Sequence, residues 1–125
     1  TPAATDGPPT ARCLVLVTPD GQRTMNTFLG ACQGLGPEDV EEAMLKRAKI
    51  VYMEGYLWDP PAAKDAFVKA MDITRKNGGK AAFTLSDSFC VDRYRSEFQA
   101  LLNDGKIDIL FANEAELKSL YESVL

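Results

Sequence analysis

Apolar and polar positions along the chain change period twice. Cys13-Leu-Val-Leu-Val-Thr18 is a β-branched-rich apolar run, Pro19-Asp-Gly-Gln22 is a turn signal, and Arg23-Thr-Met-Asn-Thr-Phe28 resumes with alternating character. Strand, turn and strand predict a β-hairpin. Gly30, Gly34 and Gly36 punctuate its exit. From Pro37 the pattern turns helical, with Pro at the first helical position, Glu38 and Asp39 in the first turn, and Lys46 and Arg47 in the last. Charges of that sign at each end complement the helix dipole, so one helix is predicted from Pro37 to Arg47.

From Ile50 onward short apolar runs alternate with amphipathic ones. The pattern predicts strands at Ile50–Met53, Ala81–Leu85 and Ile107–Phe111, and helices at about Ala62–Lys76, Phe89–Leu102 and Glu114–Val124. The first of these helices carries the stripe Ala63, Ala66, Phe67, Ala70, Met71 and Thr74 and ends at Gly78-Gly79. Strand–helix–strand units with short connections imply parallel strands and right-handed crossovers. The expected class is therefore α/β, a parallel sheet with flanking helices and a Rossmann-like core, preceded by a protruding hairpin. Residues 1–12 read as a linker or partial strand, 13–31 as the hairpin, and 37–125 as the central part of an α/β domain. Three parallel strands make a narrow sheet with two bare edges, so the expectation is an incomplete fragment of a larger enzyme domain.

Composition narrows the function. The 125 residues are 46% hydrophobic and 26% charged, as in a globular protein. Fourteen Lys+Arg against 18 Asp+Glu leave a net charge of −4, which gives no general attraction for nucleic acid. No apolar run approaches the roughly 20 residues of a membrane span, and Thr1 to Thr10 lacks the basic start and apolar core of a signal peptide. The chain does not begin with Met, and is expected to start inside something longer. Histidine is absent, which removes Ser-His-Asp triads, Cys-His dyads and His-containing metal sites. Cys13, Cys32 and Cys90 are far apart with no Cys-x-x-Cys spacing, so they read as reduced cytosolic thiols of structural or incidental character.

Ligands of open α/β sheets bind at the carboxyl ends of the strands. Here those ends are polar: Glu54-Gly55-Tyr56, Ser86-Asp87-Ser88 and Asn113-Glu114-Ala115-Glu116. Each also has a structural reading. Ser86 or Asp87 can cap the next helix, and Asn113 with Glu116 has capping-box spacing. Arg23, just past the hairpin turn, could grip a phosphate or carboxylate in pairs of hydrogen bonds if the hairpin is a mobile cover, or else be a solvated surface residue. Trp58, the one tryptophan, is expected to anchor packing before a helix that starts at Pro60-Pro61, or to line a pocket. Gly34-Leu35-Gly36 fails as a dinucleotide fingerprint because it follows no parallel strand.

The hairpin Cys13 to Ala31, a following helix, three βα units and Asn113-Glu-Ala-Glu116 together resemble the ribokinase-like (PfkB-type) family of sugar and nucleoside kinases, in particular adenosine kinases and their bacterial relatives. The resemblance runs over nearly the whole chain. It implies an ATP- and Mg²⁺-dependent transfer of phosphate to a hydroxymethyl group of a sugar or nucleoside. It further implies that the hairpin is a lid, with Arg23 approaching the transferred phosphate, and that Asn113 and Glu116 form the family's Asn-x-x-Glu motif, which organises Mg²⁺ and phosphate through water. The family's early Gly-Gly motif and its late Gly-Ala-Gly-Asp motif, whose Asp is the catalytic base, do not occur here. Gly30-Ala31-Cys32-Gln33 has the first two letters of the latter but no Asp.

The leading expectation is thus the central, cytoplasmic segment of a small-molecule kinase, inactive alone, with neither membrane nor nucleic acid as partner. Its competitor is a non-catalytic flavodoxin-like or receiver module, which would need an acidic pair after the first strand and a phosphoacceptor Asp after the third, where Asn113 stands. A homodimer through paired lids that bury Val15, Val17, Met25 and Phe28 is a third expectation.

Overall fold

A computed structural model of the chain describes residues 6–122. It contains two sheets. Strands β1 (Arg12–Val17) and β2 (Arg23–Phe28) pair antiparallel, with Arg12 opposite Phe28 and Val17 opposite Arg23. The turn is closed by backbone bonds from Thr18 to Gln22 (2.9 Å) and from Gly21 to Thr18 (2.8 Å). At the base Gly30 is buried with φ +59°, a left-handed conformation, and a side chain there would run into the Pro9 carbonyl that accepts the Ala31 amide at 3.0 Å.

Cross-strand register sorts the hairpin into two faces. Cys13, Val15, Val17, Arg23, Met25 and Thr27 share one, and Leu14, Leu16 and Phe28 lie on the other. The four residues expected to form one dimer surface are therefore split, with Phe28 facing away from Val15, Val17 and Met25. A one-residue change of phase reverses the face of a strand residue, and Phe28 lies an odd number of residues from Met25.

The helix expected from Pro37 to Arg47 is broken. A single 3₁₀ turn covers Pro37–Asp39, Val40 and Glu41 are extended, and α1 occupies only Glu42–Leu45. Asp39 turns back to accept the Gly36 amide at 2.9 Å, and Lys69 of a later helix donates to the Pro37 carbonyl at 2.7 Å. The same carbonyl also accepts the Val40 amide at 3.3 Å, which closes the 3₁₀ turn.

Next come β3 (Ile50–Glu54), α2 (Pro61–Lys76), β4 (Lys80–Thr84), α3 (Ser88–Asn103), β5 (Ile109–Phe111) and α4 (Glu114–Tyr121). The sheet order is β3-β4-β5, all parallel, as the alternation implied. β5 starts two residues later than expected because Asp108 takes the Ala81 amide on its side chain at 2.8 Å, and Ile107 stays outside the ladder. The expected end of α4 at Val124 lies outside the described residues. Helix α3 departs from helical geometry at Tyr94 (φ −124°, ψ 21°).

Met53, Phe83 and Leu110 align across the sheet on its covered face. There Trp58, Phe67, Phe83 and Phe98 form an aromatic core, with Phe83 and Phe98 ring centres 5.1 Å apart. The predicted stripe of α2 is buried at all six positions. The opposite face of the sheet carries Ile50, Tyr52 and Phe111, each more than half exposed. No helix among the described residues is long and apolar enough to cross a membrane.

Candidate functional site

The polar ends of the three parallel strands meet on one rim. After β3 the chain enters a 3₁₀ strap, Gly55–Trp58. Only glycine fits at its start, because a Cβ on Gly55 would lie 2.9 Å from the Leu85 carbonyl and 3.0 Å from that of Thr84. The buried Cys90 thiol donates to the Gly55 carbonyl at 3.2 Å, and the Tyr56 amide donates to Ser86 Oγ at 3.2 Å. Strap and β4 exit are thereby stitched together.

Ser86 itself has φ 72°, a left-handed conformation that a side chain adopts at a cost, and such positions concentrate at functional sites. The α3 N-cap is Asp87, whose carboxylate accepts the Cys90 amide at 2.6 Å, and not Ser86. Partial burial first, and then the neighbouring Asp87 carboxylate, hold the Tyr56 phenol above the usual tyrosine value. Burial likewise pushes the Cys90 thiol up to about 11, against the opposing pull of Arg93 and with the help of Asp87, Asp59 and Glu116. Cys90 is thus a neutral structural donor at physiological pH, as its lack of a partner base implied.

At the β5 exit Asn113 and Glu116 make the capping box that their spacing allows. Asn113 Oδ1 accepts the Glu116 amide at 2.8 Å, and Glu116 reaches back to the Asn113 amide at 3.1 Å. A third bond, Asn113 Nδ2 to Glu116 Oε1 at 2.8 Å, locks the two side chains together. Glu116 is only 6% exposed, and no Lys or Arg pairs with it among the described residues. A carboxylate this deeply buried normally has a cationic partner. Each of its oxygens accepts one protein hydrogen bond and keeps a lone pair for another.

No cluster of three His, Cys, Asp or Glu able to grip a metal directly occurs among the described residues. The donor set suits Mg²⁺ held through its waters, since that ion usually keeps several of them. Asn113 and Glu116 therefore fit the group in the indirect role that the resemblance implied.

Arg23 stands at the distal end of the hairpin, exposed, opposite Val17. Its guanidinium has no hydrogen bond or ion pair among the described residues. Trp58 is 3% exposed, so it is the packing anchor and not a pocket wall. Sequence reasoning missed the left-handed Ser86, the Cys90–Gly55 tie and the Tyr56–Ser86 bond. Their only sequence signal was position, since all sit within a few residues of predicted strand ends.

Residues 3–124 match the pfkB family carbohydrate kinases. No curated protein matches the chain. Among solved structures, the adenosine kinase of Sinorhizobium meliloti is 57% identical over 94% of this chain and 36% of its own, with a TM-score of 0.88. A probable sugar kinase of Rhizobium etli is 56% identical over the same shares, 94% and 36%, also at 0.88. Anopheles gambiae adenosine kinase, solved with P1,P4-di(adenosine-5) tetraphosphate, is 27% identical over 96% of this chain and 34% of its own, at 0.76. The chain thus spans about a third of the length of each, at 36%, 36% and 34%.

Proposed function

We infer the activity from a membership: the chain belongs to the pfkB family of carbohydrate kinases. On that premise the complete protein is an ATP-dependent kinase that phosphorylates the hydroxymethyl group of a nucleoside or sugar, adenosine being the first acceptor to try. The observation that carries the reading is the buried Glu116 carboxylate, without a cationic partner among the described residues and locked to Asn113 at the rim where α/β sheets bind ligands.

Phosphoryl transfer depends on positioning and charge neutralisation, with little covalent chemistry for the protein to do. Asn113 and Glu116 would hold Mg²⁺ through its waters, and the ion would supply positive charge to offset that of the transferring phosphate. Arg23, carried on the hairpin, brings a planar pair of donors to the transferring group when the lid closes. No residue of this chain is assigned as the proton acceptor for the substrate hydroxyl. The hairpin's two apolar faces suit a lid that covers substrate with one and meets a second copy with the other. The flavodoxin-like alternative has no observation in its favour beside the family match.

The test is ADP release by the complete protein with adenosine, ribose and fructose in turn. At least one acceptor should give turnover that a chelator abolishes, and Thr1–Leu125 alone should give none. Absence of ADP release above the enzyme-free control for every nucleoside and sugar tried would sink the reading.

A further inference from the structure

The strap Gly55–Trp58 is pinned at its far end by a polar cluster that the proposed reaction does not use. Trp58 Nε1 donates to Glu97 Oε2 at 2.7 Å. Lys64, from the first turn of α2, spans both oxygens of the same carboxylate at 3.0 and 2.8 Å. Its ammonium also sits 4.5 Å from the centre of the Tyr94 ring, within cation–π range. Tyr94 in turn donates its hydroxyl to Asp59 Oδ1 at 2.6 Å, and Arg93 pairs with the same carboxylate at 3.4 Å.

The placement of this cluster is informative. Asp59 directly follows the strap, and Tyr94 is the residue at which α3 leaves helical geometry. The cluster thus joins the exit of the strap to the middle of α3, while the Cys90 and Ser86 bonds join its entrance to the start of α3 and the end of β4. A four-residue segment held at both ends against one helix has little freedom of its own, and its exposed Tyr56 is presented to the rim in a single place. The strap lies at the β3 end of the rim, two strands from Asn113 and Glu116 at β5.

We propose that Lys64, Glu97, Tyr94 and Asp59 form a brace of positioning residues that sets the Gly55–Trp58 strap, and through it the acceptor side of the binding rim. This rests on the kinase reading for the word acceptor, but the mechanical part stands without it. The brace shares no hydrogen bond with Asn113, Glu116 or Arg23 among the described residues, so its loss should weaken acceptor binding while leaving the transfer step nearly intact.

The experiment uses the complete protein with Glu97→Gln, Lys64→Met, Lys64→Arg and Tyr94→Phe. Hydrogen exchange of a peptide covering residues 54–59 should quicken threefold or more in Glu97→Gln and Lys64→Met, with a β4 peptide unchanged. KM for the acceptor should rise threefold or more while kcat stays within twofold, and Lys64→Arg should restore part of the loss because it keeps the charge facing Glu97. If Glu97→Gln fails to fold, Tyr94→Phe removes a single hydroxyl and carries the same expectations at smaller size. Unchanged exchange at 54–59, or a lower melting temperature with unchanged KM, would overturn the brace. If the wild-type protein turns over no acceptor, the kinase reading falls, and the exchange comparison still decides the brace.

Discussion

The hairpin and the β3–α4 unit are written in similar apolar residues and end in opposite environments. Every residue of β1 and β2 is exposed, Leu14 to 71% and Leu16 to 70%, whereas Phe83, Phe98, Met71 and Leu85 in the α/β unit are fully buried. Two antiparallel strands alone have nothing to pack on except each other, and such ribbons are marginal in water. The α/β unit has a sheet face, three helices and an aromatic core. An apolar strand therefore announces a wish for burial without saying where the covering surface is. In the core the cover is local, and in the hairpin none lies among the described residues.

The largest effect that could break this contrast is on stability. Phe83→Ala should cost about 3–5 kcal/mol, because it removes a fully buried ring from between Trp58 and Phe98. Val15→Ala, on the exposed hairpin, should stay within about 0.5 kcal/mol in either direction. Denaturant unfolding of the complete protein measures both. A cost above about 2 kcal/mol for Val15→Ala would mean that the hairpin is packed in the intact molecule, and the contrast would hold only for residues 6–122 seen by themselves.

A comparison of Arg23 with Glu116 sharpens the same division. Arg23→Ala should lower kcat and kcat/KM together, by about a hundredfold as for other donors aimed at developing charge, and leave the melting temperature unchanged. Arg23→Lys should recover part of the loss, since a point charge lacks the planar fork. Glu116→Gln should lower activity at limiting Mg²⁺ by about tenfold and also cost about 1 kcal/mol of stability, because the same carboxylate closes the capping box. Unchanged kinetics for Glu116→Gln beside a lowered melting temperature would leave Glu116 a cap and nothing more.

The sequence made the βα alternation legible because burial on one face imposes its period on every element of that unit. The α2 stripe, the parallel order and the Asn113–Glu116 box all follow from spacing alone. What could not be read depends on contacts between distant residues. The break after Asp39 coincides with the Lys69 bond to the Pro37 carbonyl, the late start of β5 with the Asp108 side chain reaching Ala81, and the kink at Tyr94 with its bond to Asp59. The Lys64–Glu97–Trp58 cluster was invisible for the same reason, since its members lie up to 39 positions apart. Candidate site residues were found where local rules apply, at strand ends and caps. Gly55, Tyr56 and Trp58 were among the residues singled out, but the 3₁₀ strap they form was not, because its bonds reach to Cys90 and Glu97 of α3.

The smallest expected effect concerns acid, and it separates the two regions by the reach of a single carboxylate. Glu97 is held below the usual glutamate range, first by the Lys64 hydrogen bond, with the Trp58 indole adding to it against the opposing effect of burial. Asp20, in the hairpin turn, is also lowered, first by the Thr18 hydroxyl. In both cases the folded state prefers the ionised form. The stability they contribute is present above the ordinary carboxylate value and is lost as pH falls through the lowered one, the window lying on the acid side of that value. The Glu97 share should be about 0.5 kcal/mol, the size of an exposed ion pair, since its side chain is 42% exposed. Global unfolding followed from neutral pH into that acid window should show a slope that Glu97→Gln removes in part. Asp20→Asn should leave the global slope as it is, because loosening a turn in a ribbon whose strands are exposed throughout does not unfold the core. An equal change of slope in both variants would show that hairpin and α/β unit unfold as one body, and the division between them would have to be given up.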